Sequence, residues 1–232
     1  MCGRFVFDIP PDMLVATFGL AELPAVQPRY NVAPTQQVPV IRASSDGCNR
    51  LDYLHWGLIP SWAKERSIGS RMINARSETV TEKPAFRQAV KYRRCLVPAS
   101  GFYEWRQEGK LKLPYYLQVK DGSPMVFAGL WESWKGPEGE AVESCTILTT
   151  AANPLVQQVH ERMPVILHPG EYGIWLDRNI TDASGLIHLF QPYPADLMEM
   201  RRVSPLVNSP KNDLVQLLNP VEEAISQDFL GI

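Results

Sequence analysis

The chain has 232 residues, 45% of them hydrophobic, a formal net charge of −2 and a pI near 6.1. That is enough apolar material for a self-supporting core, and the balanced charge excludes a bulk nucleic-acid binder, so any such contact must rest on a local basic patch. No apolar run approaches the ~20 residues of a membrane span, and the start lacks a basic region followed by an apolar stretch, so we expect a cytoplasmic protein, or a nuclear one where the source has a nucleus, with no membrane partner.

Cys2 is the first feature in chain order. An initiator Met is generally removed when the next side chain is small, and removal would leave Cys2 with an α-amine (reference pKa ~8) beside a thiol (~8.5), so both are partly reactive near neutrality. An aldehyde closes a five-membered thiazolidine on such a pair, which no internal cysteine offers. Cys48, Cys95 and Cys145 form no C-x-x-C pair with it or with one another, and no histidine stands at ligand spacing. Neither a zinc site nor a disulfide framework is therefore expected, and no cofactor is called for. Cys95 and Cys145 read as core residues and Cys48 as a loop residue.

Residues 4–7 read as a strand, and Ile9-Pro10-Pro11-Asp12 opens a helix running to Phe18, with Gly19 as its stop. Four prolines at 24, 28, 34 and 39 mark residues 23–39 as an extended loop with little helix or sheet, holding the run Arg29-Tyr30-Asn31-Val32-Ala33-Pro34. Residues 38–42 and 51–56 read as a hairpin. The aromatic loop that follows, residues 56–62, is either a hydrophobic plug or a stacking platform for an unpaired base. Residues 72–79 are extended and lead to a helix near 84–91, where Arg87, Lys91, Arg93 and Arg94 read as a solvated basic face. Arg71 and Arg76 flank a short apolar segment instead.

Residues 94–99, 102–107, 113–119 and 125–133 read as strands separated by turn-forming Ser100-Gly101, Glu108-Gly109-Lys110 and Asp121-Gly122-Ser123, which predicts a meander or barrel. Alternation puts Glu104 on the face of Phe102 and Arg106, with Tyr103 and Trp105 opposite. Glu104 is either an exposed strand glutamate or a carboxyl hemmed by aromatics, whose raised pKa would suit a general acid. Residues 143–151 form another strand, and a short helix from Pro154 delivers His160, the one histidine placed between a helix end and a strand, where its ring can face a cleft. Helices near 170–176 and 183–190, a strand at 198–203, a loop at 204–212 and a final apolar helix complete the chain. No internal repeat divides it, so a single domain spanning 1–232 is expected.

Seven runs occur in order: Met1-Cys2-Gly3-Arg4-Phe5, Arg29-Tyr30-Asn31-Val32-Ala33-Pro34, Trp56-Gly57-Leu58-Ile59-Pro60, Ile73-Asn74-Ala75-Arg76-Ser77-Glu78-Thr79, Arg94-Cys95-Leu96-Val97-Pro98-Ala99, Gly101-Phe102-Tyr103-Glu104-Trp105 and His160-Glu161-Arg162-Met163-Pro164. Together they resemble the SOS response-associated peptidase family, also called the abasic-site processing family, over nearly the whole chain. The resemblance implies a single α+β domain built around a mostly antiparallel, barrel-like sheet with flanking helices. It also implies a monomeric DNA-repair enzyme whose Cys2, freed of Met1, forms a thiazolidine crosslink with abasic sites in single-stranded DNA. In the same way it makes Cys2 the nucleophile, Asn74 the holder of the N-terminal residue, and Glu104 and His160 the proton carriers, with Arg4, Asn31, Trp62, Arg76 and Arg162 at the DNA. Ala63 follows Trp62 where some members have a second tryptophan. Two other readings stay open: a cysteine autopeptidase releasing Met1, and a non-covalent reader of modified bases.

Overall fold

The structure, a computed structural model, describes residues 2–44 and 47–221. Its strands in chain order are β1 (Phe5–Phe7), β2 (Arg29–Val32), β3 (Gln37–Ala43), β4 (Asn49–Trp56), β5 (Asn74–Arg76) and β6 (Arg94–Ala99). After these come β7 (Gly101–Glu108), β8 (Leu111–Val119), β9 (Met125–Lys135), β10 (Ala141–Ala151), β11 (Arg162–Pro164) and β12 (Met198–Arg202). Three short α-helices flank them: α1 (Pro11–Phe18), α2 (Ala89–Tyr92) and α3 (Tyr172–Leu176).

β10, β4, β3, β6 and β9 neighbour one another in that order, and β9 pairs again with β10, so the five strands close into a barrel. Closure removes the exposed edges an open sheet would leave. A second sheet, in the order β12-β8-β7-β1-β2, stays open. The two share one core, in which Phe5 and Phe102 set their rings edge-on to Phe127, each with centroids 6.2 Å away. This is the single α+β domain the sequence predicts, with mostly antiparallel pairing. Among the described residues the exceptions are two parallel contacts on β10, Ser144 opposite His55 of β4 and Ile147 opposite Asn74 of β5, and an isolated parallel bridge between Leu20 and Asn49.

The hairpin of β3 and β4 forms where the turn residues predict, and so do the individual strands β6 to β9, but these are no meander: β7 pairs with β8 in the open sheet, while β6 pairs with β9 in the barrel. The proline-rich stretch departs from expectation. Pro28 and Pro34 fall just outside β2, so every N–H within the strand remains available; β2 pairs with β1, and the Asp213 carboxylate takes the N–H groups of Tyr30 and Asn31 at 2.5 and 3.0 Å. The helix expected at 84–91 shrinks to α2. Its basic cluster also divides, because Arg93 pairs with Glu132 and Arg94 is buried, its Nε and Nη1 donating to the carbonyls of Trp175, Val90 and Lys91. Residues 183–190 form a 3-10 helix capped by Asp182. Val215–Leu218 is a 3-10 turn where an apolar helix was expected, and the remainder of that expectation lies outside the described residues.

Candidate functional site

Cys2 and Arg4 precede and enter β1, which runs antiparallel to β7 with Phe5 opposite Phe102. That pairing brings the chain's second residue beside Glu104, two positions further along β7. From the barrel side, β5 rides on β10, and Asn74 at its first position donates its side-chain N–H to the carbonyl of Cys2 at 2.9 Å. His160 stands in the bend between a 3-10 turn (Val156–Gln158) and β11; its backbone N–H bonds to Val156 O at 2.9 Å. Arg4, Glu104, Trp105, Gln107, Lys112, His160 and Asn208 then line one cavity of about 510 Å³.

Cys2 is fully buried and Glu104 nearly so, at 3% exposure. Burial holds the Glu104 carboxyl above the ordinary carboxylate range, and the nearby His160 works against that shift. Burial, reinforced by the negative charge of Glu104, drives the Cys2 thiol far above its usual pKa. Sequence reasoning gave this thiol a small reactive thiolate fraction near neutrality; in the fold the resting group is the protonated thiol, and a neighbouring base must take its proton before sulfur can attack. The alternation read along β7 holds: Glu104, on the face of Phe102, is buried opposite Tyr115 of β8, and Trp105 lies on the other face with Tyr103, half-buried at the cavity, where its indole N–H donates to Asn208 Oδ1 at 2.7 Å.

The backbone N–H of Arg162 donates to His160 Nδ1 at 2.9 Å. The Arg162 carbonyl lies 3.3 Å from the same nitrogen, so the Arg162 backbone holds the ring through Nδ1 in either tautomer.

The residues expected at DNA fall into three groups. Arg76 and Trp62 are exposed, Trp62 at 58%. Arg4 lines the cavity but is held from behind: its Nη1 donates to Asn31 Oδ1 at 2.6 Å and to Val207 O at 2.7 Å, and its guanidinium lies 5.7 Å from the Trp105 ring centre. Arg162 is gripped by both oxygens of Glu78, at 2.5 and 2.8 Å, and by the carbonyl of Thr149. Asn31 departs from expectation. It is wholly buried, its amide donating to the carbonyls of Val207, Ser209 and Asn212, so it has no surface to offer a strand and instead ties Arg4 to the 204–212 loop.

The aromatic loop is a buried plug over its first part, with one exposed ring at its end. Trp56, Leu58 and Ile59 are a plug, fully buried, with the Trp56 indole on Ile73 O at 2.9 Å. Gly57 sits between them at φ 131°, and a Cβ there would meet Gly69 O at 2.6 Å, so the loop closes only over glycine. Trp62 lies past the plug, facing solvent.

Gln107, Lys112 and Asn208 also line the cavity but carry no sequence signal of their own. Alternation puts Gln107 and its partner Lys112 on the Trp105 face, opposite Glu104, so it does not mark them as cavity residues; nothing local marks Asn208 either, which arrives from late in the chain.

Fold and site together define a barrel-based thiol protein, with a buried cysteine near the chain start held by an amide and facing the charge of a carboxyl, and an imidazole lining the cavity that this carboxyl shares. The chain belongs to the SOS response associated peptidase (SRAP) family, whose model matches residues 1–210. It is 46% identical over 223 residues to abasic site processing protein YoqW of Bacillus subtilis, covering 94% of this chain and 99% of that one. Abasic site processing protein HMCES of Xenopus tropicalis is 34% identical over 261 residues, covering 92% and 76%. A crystal structure of a Bacteroides thetaiotaomicron protein superposes with a TM-score of 0.85 at 28% identity, covering 95% of this chain and all of that one.

Proposed function

We propose that this protein processes abasic sites in single-stranded DNA by covalent capture on Cys2 once Met1 has been removed. One observation carries the reading: Asn74 fixes the Cys2 carbonyl beside a cavity that Glu104, His160 and Arg4 line together. The names of the curated relatives support the abasic-site part of it.

The chemistry balances with these groups and solvent water. An abasic sugar rests mainly as a closed hemiacetal, and Glu104, whose protonated form burial favours, gives its proton to the ring oxygen while the hemiacetal hydroxyl releases its own to solvent and the aldehyde opens. The Cys2 α-amine adds to the aldehyde carbon, and one of its protons passes to the oxygen. That hydroxyl leaves as water on taking a proton back from solvent, with a His160 ring N–H hydrogen-bonded to the departing oxygen, giving a protonated imine. Glu104, now a carboxylate, takes the thiol proton; sulfur adds to the imine carbon, and the nitrogen keeps its remaining proton as the neutral ring amine. Amine, thiol and aldehyde become thiazolidine plus one water. Ring closure removes the imine that would otherwise acidify the adjacent sugar proton and invite strand cleavage, and the same proton carriers can run the sequence backwards. Single strands suit the cleft because no base pair need be broken, with Trp62 offering a stacking face and Arg76 a phosphate contact.

The test is to record the intact mass of the purified protein, incubate it with a single-stranded oligonucleotide bearing one abasic site, and run a denaturing gel. Loss of Met1 and a heat-resistant shifted band, absent in Cys2→Ala, is the expected result. No band from the Met1-free protein would overturn capture and favour thiol autopeptidase activity, in which Glu104 would act as the base on the same Cys2 thiol.

A further inference from the structure

We propose that a second cavity, lined by Arg42, Arg50, Arg94 and Arg178, is a binding site for a phosphate group. This cavity of about 220 Å³ shares no lining residue with the Cys2 cleft. Four guanidinium groups around one small cavity are unexpected in a chain with a net charge of −2.

Its charge is only partly balanced. Arg42 is paired with two carboxylates: both Nη groups bind Glu143, at 2.8 and 2.9 Å, Nε binds Asp52 at 2.7 Å, and the guanidinium stacks 4.4 Å from the Trp131 ring centre. The same Asp52 oxygen also takes Arg50 Nε at 2.9 Å, and no bond joins the Arg50 Nη groups to any described residue. Arg94, only 6% exposed, is the more telling member, since no described carboxylate lies within ion-pair distance of it.

Arg94 is held by backbone carbonyls alone, those of Trp175, Val90, Lys91 and Asp177. These occupy four of its five N–H donors, and among the described residues no carboxylate pairs with the charge, although Asp177 lies within electrostatic reach. A buried guanidinium without a carboxylate is costly to maintain, and an incoming anion would relieve that cost. At the mouth Arg178 is exposed and likewise has no ion pair among the described residues. The planar forks of Arg50 and Arg178 match the oxygens of a phosphate, Arg94 adds its charge and its one remaining N–H from beneath, and Trp131 and Tyr92 are aromatic walls beside them.

Phosphate chemistry can reach the site as free phosphate or as the end of a DNA strand. The experiment is calorimetric titration of the full chain at low salt with inorganic phosphate, and separately with a short oligonucleotide with and without a 5′-phosphate. Binding of inorganic phosphate that weakens about tenfold or more in Arg178→Glu and in Arg50→Gln is the expected result. A gain in affinity from the 5′-phosphate, lost in the same variants, would assign the source to DNA; no gain would assign it to free phosphate. Both substitutions are at surface side chains, and crosslinking of a short abasic oligonucleotide should be unchanged in each, which separates failure here from failure of the Cys2 chemistry. Absence of phosphate binding by the unaltered chain, or equal binding by all three proteins, would overturn the proposal.

Discussion

Replacing Asn31 with alanine should unfasten the wall of the Cys2 cleft. The Asn31 amide reaches the carbonyls of Val207, Ser209 and Asn212 at 3.2, 3.0 and 2.6 Å, and its Oδ1 accepts from Arg4 at 2.6 Å. Two amide hydrogens cannot make three full bonds, so the donor side is worth two neutral hydrogen bonds of about 1 kcal/mol each and the acceptor side one charged bond of about 1.5–3 kcal/mol. Ser209 is exposed, so water can reach part of what is vacated. We expect a net loss of about 3 kcal/mol, read as a lower urea midpoint at unchanged m. Crosslink yield should fall with it, because Arg4 keeps only Val207 O to hold it over the cavity. A stability loss under about 1 kcal/mol would refute the strap, and a loss of DNA affinity at full stability would return Asn31 to the role of a DNA contact.

Glu104→Gln should abolish crosslinking and also flatten the pH dependence of stability. Burial raises the folded-state pKa of Glu104, so the unfolded chain ionises first: stability is fully present below the ordinary carboxylate range near ~4.3 and is lost as pH climbs toward the folded value. Thermal melts across that window should fall for the native chain more than for the variant, and parallel curves would contradict the buried-acid assignment. Glu78→Gln releases Arg162 from its two-oxygen grip, so affinity for single-stranded DNA should rise a few-fold and the salt slope should steepen by about 1. An unchanged slope would mean that Arg162 never reaches a phosphate. His160→Gln keeps an N–H donor that does not titrate, so crosslinking should stay within about tenfold of native, while His160→Ala should lose about a hundredfold. Equal losses would show that the ring must carry a proton on and off.

The strands in the middle of the fold were legible because local rules mark them: β6 to β9 are near neighbours in sequence, joined by glycine turns, and alternation correctly set Glu104 and Trp105 on opposite faces. Which face is buried, and the pairing of β6 with β9 across the β7–β8 hairpin, lay beyond it. β2 was hidden because proline count spoke against a strand, whereas proline position, just outside each end, permits one. Arg94 looked like its basic neighbours, since nothing local reports that the carbonyls of α3 will close over it. The proximity of Cys2, Asn74, Glu104 and His160 came from the resemblance to a family. Pairings such as Ile147 with Asn74 span too much chain for any window of residues to reveal.

The bond from Arg4 to Val207 joins residues 203 positions apart. Synthesis runs at roughly 5–20 residues per second, so Cys2 leaves the ribosome about ten seconds or more before the segment that completes its cleft. During that interval Arg4 lacks its anchor and Trp105 has no Asn208 to bond. Contacts of such separation also form late in folding, because the long loop between them must close first. A nascent chain therefore carries its cysteine without the surroundings that direct it. Competence for the reaction arrives only when the two distant segments dock, which ties the chemistry of Cys2 to the completion of folding.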